Sequence, residues 1–152
     1  MSQAKTNARR CAVQALYQWQ MTGQNLGQIE LQFYEEDYLN LAQKSYFSVL
    51  FHGVPAQLAV IDKTLTEFVD RPVEKIDPVE RAVLRIGVYE LLNRLDIPYR
   101  VIINEGVDLA KYFGADGSHK YVNGILDKVA QKQRIIETSR AKKPRKKQPK
   151  EA

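Results

Sequence analysis

An all-α bundle of about seven helices in two halves is what this sequence predicts. Three observations predict it. Apolar residues recur at three- and four-residue spacings through most of the chain, no segment alternates apolar and polar residues as a half-buried strand would, and the interruptions are short and rich in Gly, Pro or Asp. The first helix is read from Ala8, Cys11, Ala12, Ala15, Leu16 and Trp19, which share one face with no Gly or Pro before Gly23. Gly23 to Gly27 is a loop, and Leu26 to Tyr34 a short helix. From Leu41 another helix begins, with Tyr46, Val49, Leu50 and Val54 expected to face inward.

Pro55 interrupts that pattern, and Leu58, Ile61, Leu65 and Phe68 then resume it, so either one kinked helix or two helices meeting at Gly53 to Pro55 fits. Asp77, Pro78 and Glu80 supply an N-cap, a first-turn proline and a capping-box acid for a helix running to about Arg94. This helix is apolar on nearly all sides from Val79 to Leu92, which predicts the most buried element of the core. Asp96, Ile97 and Pro98 break the chain; Val101 to Phe113 forms a helix stopped by Gly114; Ser118 is the expected N-cap of a last helix that turns Val122, Ile125, Leu126 and Val129 inward. The stretch from Asp70 to Asp77 is the expected seam between two helical halves.

Charge separates a body from a tail. From Thr138 onward there are seven Lys or Arg residues and one acid, so the tail carries +6 of a net +5 and residues 1–137 carry −1. With Pro144 and Pro149 and no apolar residue larger than alanine, residues 138–152 are expected to be disordered and to add nonspecific phosphate affinity, although Lys142 to Lys147 also has the composition of a nuclear-localisation patch. Residues 1–137 are expected to form one domain. Within it, Lys5, Arg9 and Arg10 have no acid near them in sequence, whereas Glu30, Glu35, Glu36 and Asp37 cluster without a base.

The same residues exclude several function classes. One cysteine, Cys11, makes neither an intrachain disulfide nor a zinc finger. No stretch approaches the roughly 18 apolar residues of a membrane span, and the first thirty residues lack a signal-peptide core, so a cytoplasmic protein with no membrane association is expected. His52 and His119 stand in no metal-ligand spacing, and no Walker loop, nucleophile elbow or dinucleotide fingerprint is present. No catalytic residue, metal site or cofactor is expected, and the protein is read as a non-enzyme.

What remains suits single-stranded nucleic acid: cations for phosphates and aromatic rings for bases. Arg10, Gln14 and Tyr17 fall at i, i+4 and i+7 on the first helix, with Lys5 and Arg9 before them. Ser118, His119, Lys120 and Tyr121 gather a hydroxyl, an imidazole, an ammonium and a phenol around the exposed N–H groups that open the last helix. Ordinary rim packing of the tyrosines and a solvated face for the arginines explain the same spacings, and spacing alone favours them. Glu80 and Arg81 either cap the central helix or face a protein partner.

Four segments, in order and at consistent separations, resemble the NusB family of bacterial transcription antitermination factors. They are Ala15 to Trp19, Arg81 to Leu91, Ile103 to Lys111 and His119 to Asp127. The resemblance spans residues 8 to 130. It implies two small helical bundles and binding to the boxA element of nascent ribosomal RNA leaders as a heterodimer with the ribosomal protein NusE. It also implies membership of an RNA polymerase complex with other Nus factors that resists premature termination.

By position in the family pattern, Arg9 would contact phosphate, Tyr17 and Tyr121 would pack on or beside bases, and Lys120 would bind backbone or a base edge. Glu80 would lie where the ribosomal protein docks. The chain departs from the pattern in three places: the arginine run before the first helix is reduced to Lys5, Thr6 and Asn7, Gly117 replaces an acid, and Tyr121 replaces a phenylalanine. Two other readings stand beside this one: the RNA-binding domain of a ribosomal RNA cytosine methyltransferase, if the chain is a fragment, and a helical protein–protein adaptor. An apolar helix face awaiting a partner also leaves a homodimer open.

Overall fold

The computed structural model describes residues 3–36 and 39–142. Among them are eight α-helices and no strand: α1 (Gln3–Thr22), α2 (Leu26–Glu35), α3 (Leu41–Ala56), α4 (Leu58–Thr66), α5 (Pro78–Asn93), α6 (Tyr99–Phe113), α7 (Ser118–Gln133) and α8 (Ile135–Lys142). A single 3-10 turn, Val73–Lys75, lies in the connection between α4 and α5. The helix starts follow local chemistry. Asn25 accepts from the Gln28 N–H at 3.2 Å, Asn40 and Gln43 form a reciprocal capping box, and Asp77 accepts from the Val79 and Glu80 N–H groups, with Pro78 in the first turn.

The helices α1 to α3 form one group and α5 to α7 the other, with α4 packed mainly on α5, and one continuous hydrophobic cluster joins them. Helix α5 is the axis: Ala82 to Leu91 are all buried, against α1 and α3 on one side and α6 and α7 on the other. In the first group Phe33, Phe47 and Phe51 stack in sequence, with ring centres 5.6 and 5.5 Å apart. In the second, Leu126 reaches between two glycines: a Cβ on Gly87 of α5 or on Gly106 of α6 would stand 2.8 Å from its methyl carbons. Glycine at both positions is what lets α7 approach the other two helices this closely.

Two buried arginines fasten the axis. The Arg9 guanidinium, fully buried, donates from Nε to both Glu90 carboxylate oxygens at 3.1 and 3.0 Å, and Tyr46 donates its hydroxyl to the same carboxylate. Its Nη2 lies 2.9 Å from Glu90 and its Nη1 3.3 Å from Glu105, close enough for ion pairing but without hydrogen-bond alignment. Burial works against the Arg9 charge, and Glu90 more than offsets it, so the Arg9 pKa is raised. At the other junction Arg134, between α7 and α8, donates to the carbonyls of Glu90, Leu91, Arg94 and Ile97 and so caps the C-terminal end of α5. Glu137 of α8 accepts from the Tyr99 N–H, the first residue of α6, and from Arg134.

Four expectations are corrected. The break after α3 falls at Gln57, and Pro55 lies inside the last turn of α3, where its missing N–H removes the one bond to the Phe51 carbonyl and the helix runs only one residue further. Val49 is 38% exposed, because Tyr46, Phe47, Leu50, Phe51 and Val54 define an inward face that leaves it at the edge. Ser118 is the first residue of α7 and not its cap; Gly117, at φ +85°, occupies the cap position. The chain stays helical to Lys142 with Thr138 buried, so an unstructured tail does not begin at residue 138. The rest of that tail, residues 143–152, and Asp37 of the acidic cluster lie outside the described residues. Among the described residues, no helix is long and apolar enough to cross a membrane.

Candidate nucleic-acid interface

The buried face of α1, Ala8, Cys11, Ala12, Ala15 and Leu16, leaves Arg10, Gln14 and Tyr17 along its flank. The Arg10 guanidinium lies over the ring of Tyr112 at the end of α6, 4.4 Å from its centre, and Tyr112 meets Phe113 edge-on at 4.8 Å. Gln14 is exposed, and Tyr17, 40% exposed, stands at the lip of a groove walled by Val13, Met21, Phe33, Val79 and Phe113. Lys5 lies about 18 Å from Tyr17 along the helix axis. There its Nζ sits 5.5 Å from the centre of the Tyr46 ring, which Arg9 and Arg94 also approach.

The second group of predicted residues opens α7. A tight turn from α6 delivers them: a Cβ on Gly114 would stand 2.7 Å from the Ala110 carbonyl oxygen and 2.8 Å from Ser118 Oγ, and Gly117 takes the left-handed conformation. Ser118 is buried and donates its hydroxyl to Glu80 at 2.5 Å, tying α7 to the first turn of α5. Beyond this tie, Lys120 is exposed and His119 half-buried. Tyr121 is half-buried beneath the Arg71 guanidinium, 5.2 Å from its ring centre, and its buried hydroxyl has no hydrogen-bond partner. Burial raises the Tyr121 pKa, with the Arg71 cation opposing.

The two groups are joined through α5. Val79 shares the groove with Gln14 and Tyr17, the adjacent Glu80 holds Ser118, and Gln20 of α1 donates to the Pro78 carbonyl at 3.0 Å. Arg10, Gln14, Tyr17, His119, Lys120 and Tyr121 therefore flank one end of α5, while Lys5 sits toward the other.

Several expected contacts have a different role. Arg9 is enclosed and held by Glu90, with no exposed surface to offer a phosphate. Ser118 is occupied as an anchor. Glu80 is half-buried with one oxygen committed to Ser118, and Arg81 donates to the Glu74 carbonyl at 2.8 Å, bracing the connection before α5. Two residues were missed by sequence reasoning. Tyr112 belongs to an aromatic pair on α6, of which one ring must turn outward; Arg71 stands in the α4–α5 connection, and only the fold sets it against Tyr121.

Fold and site together define a small all-α protein of two helical groups with a cationic, aromatic edge built across α1, α6 and α7. Curated relatives over nearly the full length include the transcription antitermination protein NusB of Nitrosococcus oceani, 50% identical over 137 residues covering 90% of this chain and 92% of the relative. That of Alcanivorax borkumensis is 49% identical, covering 90% and 91%. The NusB family model matches residues 6–131, and the chain belongs to the NusB family.

Solved structures agree. A chain from a crystal structure of the antitermination factors NusB and NusE with double-stranded RNA superposes with a TM-score of 0.80 at 26% identity, covering 87% of this chain and 99% of that one. T. maritima NusB gives 0.76 at 32% identity, covering 86% and 93%. Helix α8 lies beyond the span that the family model matches.

Proposed function

We propose that this protein is a transcription antitermination factor that binds boxA-type single-stranded RNA of ribosomal RNA leaders together with the ribosomal protein NusE. In that role it joins an RNA polymerase complex with other Nus factors, in the cytoplasm, and helps the polymerase resist premature termination. The observation that carries this reading is the near-50% identity, over nine-tenths of the chain, to relatives named as antitermination factors. The activity is assembly rather than turnover of a substrate, and the protein is not an enzyme.

In this reading Arg10 and Lys120 take phosphates, Tyr17 and Tyr121 offer rings to bases, and Gln14 and His119 supply hydrogen-bonding groups. Lys5 adds longer-range attraction. Ser118 and Glu80 position the start of α7, Arg81 holds the connection behind it, and the groove of Val13, Met21, Val79 and Phe113 beside Glu80 is the apolar surface for the protein partner.

The test is binding of a short boxA-like RNA and a scrambled control at several salt concentrations, with and without NusE. Preference for boxA that strengthens when NusE is added is the expected result. Equal, steeply salt-dependent binding of both RNAs that disappears with residues 143–152 would assign binding to the tail and refute the reading.

A further inference from the structure

The Arg10–Tyr112 pair differs from the other arginine–tyrosine contacts in its open ring. Arg9, Arg71, Arg85, Arg94 and Arg134 each pair with a carboxylate, Arg81 donates to the Glu74 carbonyl, and Arg100 lies over Tyr99, a ring only 8% exposed, whereas Arg10 has no carboxylate partner among the described residues and its N–H groups make no hydrogen bond there. Its guanidinium instead lies 4.4 Å from the centre of the Tyr112 ring. Tyr112 is 62% exposed even with this cover, and Phe113, meeting it at 88°, supports its edge from the groove wall. An aromatic ring backed by a second ring and layered with a delocalised planar cation is a stacking surface with five donors at its margin. It lies on α6 just before the turn into α7, so it stands between the α1 stripe and Lys120.

We propose that Arg10 and Tyr112 form a base-stacking platform for one unpaired nucleotide of the bound RNA. The nucleobase stacks on the layered ring and guanidinium, and the guanidinium N–H groups bind an adjacent phosphate. The inference rests on the RNA-binding reading above and gives it a subsite that bridges its two halves. Every base has a π-face, so the platform contributes affinity without choosing a sequence. A base inside a duplex is already stacked on its neighbours, so the contribution is confined to single-stranded RNA.

The test uses the full chain and fluorescent boxA-like and scrambled single-stranded RNAs, with a duplex of the same sequence, titrated at several salt concentrations. Tyr112→Phe should bind as wild type. Tyr112→Ala should weaken both single strands by about 5- to 20-fold, leave their salt dependence and the boxA preference unchanged, and leave the duplex unaffected. Arg10→Lys should keep the salt dependence and lose affinity, because an ammonium cannot stack; Arg10→Ala should lose both. Far-UV circular dichroism confirms that each variant is folded, as expected for exposed positions.

Single-strand binding by Tyr112→Ala equal to wild type, with Lys120→Ala still impaired, overturns the platform and leaves the RNA-binding reading standing. An equal loss on duplex and single strand also overturns it. Binding of no RNA by the wild-type chain overturns both.

Discussion

Replacing Arg9 by alanine should damage the fold and not the RNA edge. The side chain is fully buried, and its main partner Glu90 is 1% exposed; Nε donates to both Glu90 oxygens, and Tyr46 occupies the same carboxylate. Removing the guanidinium leaves a carboxylate in the core with only a phenol to answer its charge, a situation that costs about 3–5 kcal/mol. With a urea dependence of about 2 kcal/mol/M, the unfolding midpoint should fall by about 2 M.

The double variant Arg9→Met/Glu90→Gln removes both charges and keeps volume, so it should recover most of that loss. The assay is urea unfolding followed by circular dichroism, with RNA affinity measured on the folded protein below the transition. Were Arg9→Ala to unfold within about 0.5 kcal/mol of wild type while losing RNA affinity and salt dependence, Arg9 would be a phosphate ligand, and the buried-clamp reasoning would fail.

Three further outcomes follow from the same structure. Arg134→Ala should cost on the order of 3 kcal/mol in the same urea assay, because four carbonyls around the end of α5 each lose a charged donor, and among the described residues only those of Glu90 and Arg94 keep a backbone N–H; a change under 0.5 kcal/mol would deny it the capping role. Gly53→Ala should destabilise by about 1–3 kcal/mol, since its Cβ would stand 2.5 Å from the buried Tyr89 ring, and a thermal melt unchanged from wild type would count against so close a contact. The Glu137 pKa is lowered: burial opposes the charge, but the Tyr99 N–H and Arg134 outweigh it. Its contribution to stability is therefore present above the unfolded value near 4.3 and is lost as pH falls through the lower folded value. Glu137→Gln should accordingly flatten the loss of stability in that acid window, and acid titrations of the two proteins that run parallel would contradict it.

Most of the fold was legible because its signals are local. A 3.6-residue apolar period is visible in any short window, and Asp77 with Pro78 announced α5 without knowledge of anything it packs on. The Pro55 break and the Ser118 cap were misplaced by only one or two residues, whereas the larger misreadings share one physical cause, which is that the deciding partner lies far along the chain. Arg9 reads as a surface cation until Glu90, 81 positions away, is folded against it. Thr138 reads as the start of a polar tail, yet it is buried, and Arg134, four residues before it and without any sequence signal, caps α5. Of the site, Tyr17, Lys120 and Tyr121 could be picked from residue type beside exposed helix faces. Tyr112 could not, because only the fold decides which of two adjacent rings turns outward.

The arrangement also explains why a buried helix governs an exposed edge. The first turn of α5 touches both halves of the candidate interface, through Pro78 with Gln20 and through Glu80 with Ser118, and its far end is held by Arg9 through Glu90 and by Arg134. The stripe on α1 and the start of α7 thus have their separation set by α5 rather than by any contact between themselves. A change that shifts α5 should misplace cations and rings together, lowering RNA affinity and fold stability at once. Loss of an exposed cation instead flattens the salt dependence of RNA binding with the stability of the fold unchanged. Unfolding measured beside the slope of affinity against salt therefore separates residues that touch RNA from those that hold the touching residues in place, and burial and hydrogen bonding predict the second behaviour for Arg9, Ser118 and Glu80.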